Sequence, residues 1–110
     1  MGINEIQADF FKAIAHPLRI KILNTLKDNN SCVCDMAKVI GEGQPQVSRS
    51  LAQLKQAGLV ICEKKGTKIC YSLKSRAVVR LLEISNGIIR DESEKVIYAL
   101  SERKGDERHG

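Results

Sequence analysis

Apolar residues in the first part of the chain recur at helical spacing. The repeat runs over residues 6–14 and follows Asn4, so it predicts a first helix with Asn4 as its N-cap. Pro17 interrupts the pattern, because proline disfavours a helical residue before it and suits the first turn of the helix that follows. A second helix is therefore predicted from Pro17 to about Asp28.

Two further helical patterns follow, and a glycine-containing turn joins them. The third helix is predicted over residues 32–40, with Ser31 as its N-cap and Val39 among its buried residues. The fourth is predicted over residues 44–57, and Gly58 follows it as a left-handed terminator. Two helices joined in this way, the second with polar residues at its start, are typical of a helix-turn-helix.

The hydrophobic period then changes to that of β-strands. Residues 59–64 and 68–73 are rich in β-forming side chains and flank the turn signal of residues 65–67, which predicts a hairpin. From about Ser75 to Glu102 the helical spacing returns and predicts one long helix. Residues 104–110 are predicted to be a disordered tail.

This order of elements predicts a mainly α-helical fold with a β-hairpin wing, α-α-α-α-β-β-α, which is a winged helix-turn-helix. Residues 1–103 form the predicted domain for DNA binding and dimerisation. A chain of 110 residues buries only a modest core, so we expect its first and last helices to pack in a homodimer. The sequence shows neither a signal peptide nor an apolar run of about 18 residues, so we expect a cytoplasmic protein that does not bind membranes.

Basic residues are concentrated in the middle of the chain. Residues 44–76 contain seven bases and one acid, whereas the net charge of the whole chain is +5. Such a basic segment on a helix-turn-helix and its wing is typical of a phosphate-binding surface. Glutamine can pair with adenine and arginine with guanine in the major groove. The residues predicted to contact DNA are Gln44, Gln46, Ser48, Arg49 and Gln53 on the fourth helix and Lys64, Lys65 and Lys68 on the wing.

Four parts of the sequence resemble the arsenical-resistance repressor family, ArsR/SmtB. They are AHPLRIKIL at 15–23, CVCDMA at 32–37, QPQVSRSL with LKQAGLV at 44–51 and 54–60, and KGT with YSL at 65–67 and 71–73. The resemblance implies a homodimeric transcriptional repressor, not an enzyme, that binds double-stranded, palindromic operator DNA and needs no cofactor. It also implies that an ion such as As(III), Cd(II), Pb(II) or Zn(II) binds the thiol box and releases the DNA.

Cys32 and Cys34 are the candidate ligands of that ion. As the first and third residues of a helix they would lie where the helix dipole favours thiolate. Residues i and i+2 of a regular helix point about 200° apart, so the two sulfurs converge only if the first turn is loosened or the pair lies at its irregular edge. The resembling proteins often carry a third thiolate where this chain has Ala37. A third sulfur would therefore come from Cys62 or Cys70, from the partner subunit, or from a small thiol in solution. Two thiolates without a carboxylate or imidazole cluster favour As(III) over zinc.

Cys62 and Cys70 form a second pair. In a hairpin centred on Gly66 they fall directly opposite each other, with Cβ atoms about 4.5–5.5 Å apart. They are interpreted as packed apolar residues, as further ligands of the thiol site, or as a redox pair. An alternative function follows, a repressor that senses oxidants or sulfide through this pair or through Cys32 and Cys34.

Two other classes of protein differ from such a repressor in their sequence features or in their DNA binding. A thiol oxidoreductase would need the Cys-x-x-Cys spacing, a βαβ setting and an acid–base partner, which the sequence does not show. An architectural DNA-binding protein without a sensor would bind DNA with an affinity that is indifferent to both metals and oxidants.

Overall fold

The computed structural model describes residues 1–92 and 98–101. Its elements in chain order are α1 (Ile3–Ile14), α2 (Pro17–Leu26), β1 (Ser31–Cys32), α3 (Val33–Ile40), α4 (Gln44–Gln56), β2 (Val60–Lys65), β3 (Lys68–Leu73) and α5 (Arg76–Glu92). The order of helices and the hairpin confirm the predicted fold class, and β1 is an additional element. The predicted domain boundary after residue 103, the tail and part of the last predicted helix lie outside the described residues.

The chain divides into two compact units, Met1–Val79 and a second that begins at Arg80. The first unit contains the helix-turn-helix and the wing. Its core is aliphatic, and the side chains of α2, α3, α4 and β2 contribute to it. The largest fully buried side chains are Ile22, Leu23, Met36, Val47, Leu51, Leu54, Leu59 and Val60. Burial of each of these side chains stabilises the folded state by about 1.5–3 kcal/mol, so this core holds α4 and the wing on one rigid support. Within the described residues, no helix is long and apolar enough to span a bilayer.

The end of α4 follows the prediction closely. Gly58 has a φ of +81°, in the left-handed region. The Leu59 N–H donates to the Leu54 carbonyl at 2.9 Å, and the Gly58 N–H donates to the Lys55 carbonyl at 3.0 Å. This pair of bonds is a Schellman motif, which satisfies the last carbonyls of the helix and turns the chain into the wing.

The start of α2 and the end of α1 depend on two side chains near Pro17. Nδ1 of His16 accepts a hydrogen bond from the Leu18 N–H at 3.2 Å and so caps the start of α2. The Arg19 guanidinium donates to the carbonyls of Lys12 and Ala13 at 3.4 and 3.1 Å, which satisfies the end of α1. These bonds fix the angle at which α1 meets α2.

Three predicted details of the helices are wrong. The N-cap of α1 is Gly2 rather than Asn4, because the Ile6 N–H already bonds to the Gly2 carbonyl at 3.2 Å. α2 ends at Leu26 rather than Asp28. Val39 is 75% exposed. The buried face of α3 is formed by Met36 and Ala37 instead, and Val39, near the end of this short helix, lies outside it.

The three strands form one antiparallel sheet in the order β1-β3-β2. Lys65 pairs with Lys68, so the hairpin loop consists of the two residues Gly66 and Thr67. Gly66 has a φ of +64°, which suits the first position of a type II′ turn. β1 continues the sheet on the other side of β3, so the chain enters α3 directly from a strand that pairs with the wing.

Candidate nucleic-acid interface and thiol site

The exposed face of α4 carries every residue predicted to read DNA on that helix. Val47, Leu51 and Leu54 are fully buried, which fixes the rotation of the helix about its axis. The side chains that this rotation leaves exposed include Gln44, Gln46, Ser48, Arg49 and Gln53. The five predicted side chains are therefore all on the solvent side of α4, called here the α4 face.

Arg19 is an additional basic group beside the α4 face. Gln46, Arg49 and Gln53 line a shallow cleft of about 310 Å³ together with Arg19 and His16 of α2. Nε of Arg19 is buried without a hydrogen-bond partner. Arg19 was not among the predicted residues, because its place next to α4 depends on how α2 packs and no motif marks it.

The wing places three exposed lysines at the end of the hairpin. Lys65 and Lys68 are directly paired across the two strands, and Lys64 pairs with Ile69 next to them. Like charges directly opposite each other destabilise a hairpin, so this pair contributes nothing to the folding of the wing. A concentration of positive charge at a strand end instead suits an anionic partner such as a phosphate backbone.

The thiols of Cys32 and Cys34 meet at the start of α3. Their Sγ atoms are 3.1 Å apart. The predicted positions in the helix are wrong by one residue: Cys32 is the N-cap, with φ −89° and ψ 164°, and Cys34 is the second helical residue. Because Cys32 keeps the extended backbone of β1, its side chain does not follow the helical rotation. The pair lies at the irregular edge of the helix, which was one of the two arrangements that allow the sulfurs to converge.

Asp35, which was not among the predicted residues, completes a group of three candidate metal ligands. The two sulfurs and a carboxylate oxygen of Asp35 lie within 4.8 Å of one another. The Cys34 thiol donates weakly to Oδ1 of Asp35 at 3.9 Å. The signal was the acid directly after Cys34, at the third position of the helix. This carboxylate makes the donor set harder than two thiolates alone.

Protonation of the thiol site departs from the expectation based on the helix dipole. The hydrogen bond with Cys34 raises the pKa of Cys32, and the Asp35 carboxylate adds to that effect. The backbone amide of Asp35 acts in the opposite direction but does not outweigh Cys34. The Cys32 thiol therefore keeps its proton to higher pH than an ordinary cysteine, and an ion that binds its thiolate must displace that proton.

The wing cysteines do not face each other. Cys62 pairs with Tyr71, and Cys70 pairs with Glu63. The predicted pairing of Cys62 with Cys70 is wrong, because the loop has two residues rather than three and the register shifts by one. Successive side chains of a strand point to opposite faces, so the two thiols lie on different sides of the sheet. Cys62 lies on the side of α4, where its sulfur raises the pKa of Lys55.

The architecture and the α4 face define a winged helix-turn-helix. Residues 16–61 match the family model described as bacterial regulatory protein, arsR family. The chain is 33% identical over 87 residues to the arsenical resistance operon repressor of Escherichia coli, an alignment that covers 78% of this chain and 74% of that protein. This chain belongs to the arsR family of transcriptional regulators, whose members are not enzymes.

Solved structures agree with this assignment. The crystal structure of Rv0081 from Mycobacterium tuberculosis has a TM-score of 0.76 and 27% identity, and the match covers 94% of this chain and 97% of that one. The homodimeric winged helix-turn-helix DNA-binding domain of Mb0332 from Mycobacterium bovis has a TM-score of 0.72 and 29% identity, with 82% of each chain covered.

Proposed function

We propose that this protein is a homodimeric repressor that binds a palindromic operator and leaves it when a thiophilic ion binds at Cys32 and Cys34. The observation that carries the proposal is the thiol pair at 3.1 Å on the helix that packs against α4. The pair lies at the start of that helix, so a ligand that changes the thiols acts directly on the support of the reading helix.

The operator contacts divide between α4 and the wing. Gln46, Ser48 and Arg49 lie near the start of α4, which is the part of a recognition helix that reaches base edges. The N-cap Gly43 gives this helix no side-chain cap, so its first N–H groups remain available to a phosphate. The wing lysines follow the flanking phosphates and supply affinity without sequence information.

Dimerisation is supported by apolar side chains that each unit leaves exposed. On α1 these include Ile3, Ile6 and Phe11, and on α5 they include Ile84, Ile88 and Ile89. Exposed apolar faces of this extent favour burial against a second copy. The related domain from Mycobacterium bovis is described as homodimeric, which agrees with this proposal. A two-fold dimer matches two operator half-sites of opposite orientation.

The donor set suits soft and borderline ions. Thiolates bind As(III), Cd(II) and Pb(II) strongly, and the Asp35 carboxylate adds a ligand that zinc and cadmium accept. We favour As(III), because two sulfurs that already lie 3.1 Å apart suit an acceptor that prefers sulfur to oxygen ligands. Sequence similarity to an arsenical resistance repressor supports the same choice.

Thiol oxidation is the second candidate mechanism. The short distance between the sulfurs of Cys32 and Cys34 favours it, since a sulfenic acid on one would have the other thiol in reach. Oxidation through a Cys62–Cys70 disulfide within the hairpin is not supported, because these thiols lie on opposite faces of the sheet.

A release assay tests the proposal. An operator duplex is first selected from a random pool with the purified protein, and its release is then followed against arsenite, Cd(II), Zn(II) and peroxide. We expect arsenite to release the duplex at the lowest concentration and peroxide to leave it bound. Release by peroxide alone would establish the redox candidate instead, and binding that no ion or oxidant changes would show a protein without a sensor.

Substitution of Asp35 distinguishes release by Cd(II) or Zn(II) from release by arsenite. Asp35→Asn should raise the Cd(II) or Zn(II) concentration needed for release at least about tenfold, because the amide is a weaker ligand than the carboxylate. Arsenite-driven release should change little, since As(III) prefers the sulfurs. Asp28→Asn, an exposed acid outside the thiol site, is the matched control. Equal losses for arsenite and cadmium in Asp35→Asn would contradict this division of roles.

A further inference from the structure

Cys70 lies next to the thiol site through strand pairing. It occupies β3, the middle strand of the sheet, and is directly paired with Cys32 of β1. Directly paired residues of antiparallel strands point to the same face of the sheet, with Cβ atoms about 4.5–5.5 Å apart. The wing therefore presents one of its two cysteines to Cys32, and the register turns the other, Cys62, to the opposite face.

The state of Cys70 suits a ligand that joins the site when an ion arrives. Its thiol is free and half-buried. The group whose ligand atoms lie within 4.8 Å of one another consists of Cys32, Cys34 and Asp35, and Cys70 is outside it. Rotation about the Cα–Cβ bond of Cys70, from one staggered position to another, is the small movement by which a third sulfur approaches the pair.

We propose that Cys70 supplies the third thiolate of the Cys32–Cys34 site, which then binds a trivalent metalloid through three sulfurs. The proposal rests on the proposed function and names its missing ligand. Arsenous acid, As(OH)₃, reacts with three thiols to give As(SR)₃ and three waters, so no oxidant or reductant is required. The resembling proteins often carry this third thiolate at the position of Ala37. In this chain Cys70, from another element of the fold, takes that role.

The third ligand also changes what binding does to the protein. Cys32 and Cys34 lie at the start of α3, whereas Cys70 lies on a strand of the wing. A metalloid bound to all three ties the wing strand to the helix that supports α4. Both DNA-contacting elements then respond to one binding event, which accounts for release better than a change confined to the first turn of α3.

Two arsenicals distinguish a third ligand from a structural role. Arsenite accepts three thiolates, whereas phenylarsine oxide keeps its As–C bond and accepts two, with loss of one water. Cys70→Ser should weaken arsenite binding by more than about 100-fold, since loss of an outer-shell partner alone typically costs 10–100-fold. Its affinity for phenylarsine oxide should equal that of the wild type. Cys62→Ser, on the opposite face of the same hairpin, is the matched control and should bind both arsenicals normally.

The sulfur count at arsenic gives an independent readout. X-ray absorption should find three sulfur neighbours in the arsenite-loaded wild type and fewer in Cys70→Ser. Wild-type affinity of Cys70→Ser for both arsenicals would overturn the assignment, and so would an equal loss of affinity for both. Cys70→Ala is a second variant that confirms either result. Unchanged arsenite binding and release in Cys34→Ser would instead overturn the proposed function itself, whatever Cys70 does.

Discussion

Cys34→Ser is expected to bind its operator as the wild type does and to stay bound when arsenite is added. Serine keeps the size of the side chain but replaces a soft sulfur by a hard oxygen, which trivalent arsenic binds far less strongly at this site. We expect the arsenite concentration for half-release to rise by more than about 100-fold, beyond the 10–100-fold typical of an outer-shell change. Fluorescence anisotropy of a labelled operator duplex measures this arsenite concentration.

Cys34 is a better position for this test than Cys32. Cys34 is half-buried, whereas Cys32 is buried and forms the N-cap of α3, so its replacement also affects the helix start. Cys62→Ser provides the control, because it removes a wing thiol that lies away from the site. Normal release in Cys34→Ser would place the sensor elsewhere in the molecule.

Arg49→Ala is expected to abolish much of the preference for the operator over other sequences. An arginine that pairs with guanine is worth about 1–3 kcal/mol of discrimination, and Arg49 lies exposed on the α4 face with no competing role in the core. Competition between the selected operator and a scrambled duplex of equal length measures the change. Retention of the full preference would show that other residues read the bases.

Lys65→Ala is the matched comparison for Arg49→Ala. Lys65 lies at the wing end and would contact phosphate, so its loss should weaken binding to both duplexes equally. The slope of log affinity against log salt should become shallower by about one. The two variants thus separate sequence reading from charge neutralisation within one protein.

The helix-turn-helix could be predicted because its signals are local. The apolar period of α4 and the glycine that follows it fixed which residues face the core, and the exposed row followed from that. The wing was also predicted, since Gly66 separates two β-rich runs. Each of these features depends on neighbours within a few residues, which a sequence displays directly.

The thiol site depended on contacts that the sequence does not display. β1 has two residues, too few for a periodic signal, and it exists because β3 offers an edge to pair with. Because Cys32 is held in that strand pair, α3 begins at Val33, and the sulfurs of Cys32 and Cys34 lie close together. The wing register differed by one residue, because nothing in Lys65-Gly66-Thr67 distinguishes a two-residue loop from a three-residue loop. One residue was enough to separate Cys62 from Cys70.

The two-residue loop of the wing has a consequence for how such regulators diverge. Side chains alternate along a strand, so one residue gained or lost near β3 exchanges the side chain that meets Cys32. Ile69 or Tyr71 would then take the place of Cys70, and no cysteine would have been substituted. The range of inducers can therefore change through an insertion or deletion while every thiol is retained, and relatives with the same cysteines need not sense the same ion.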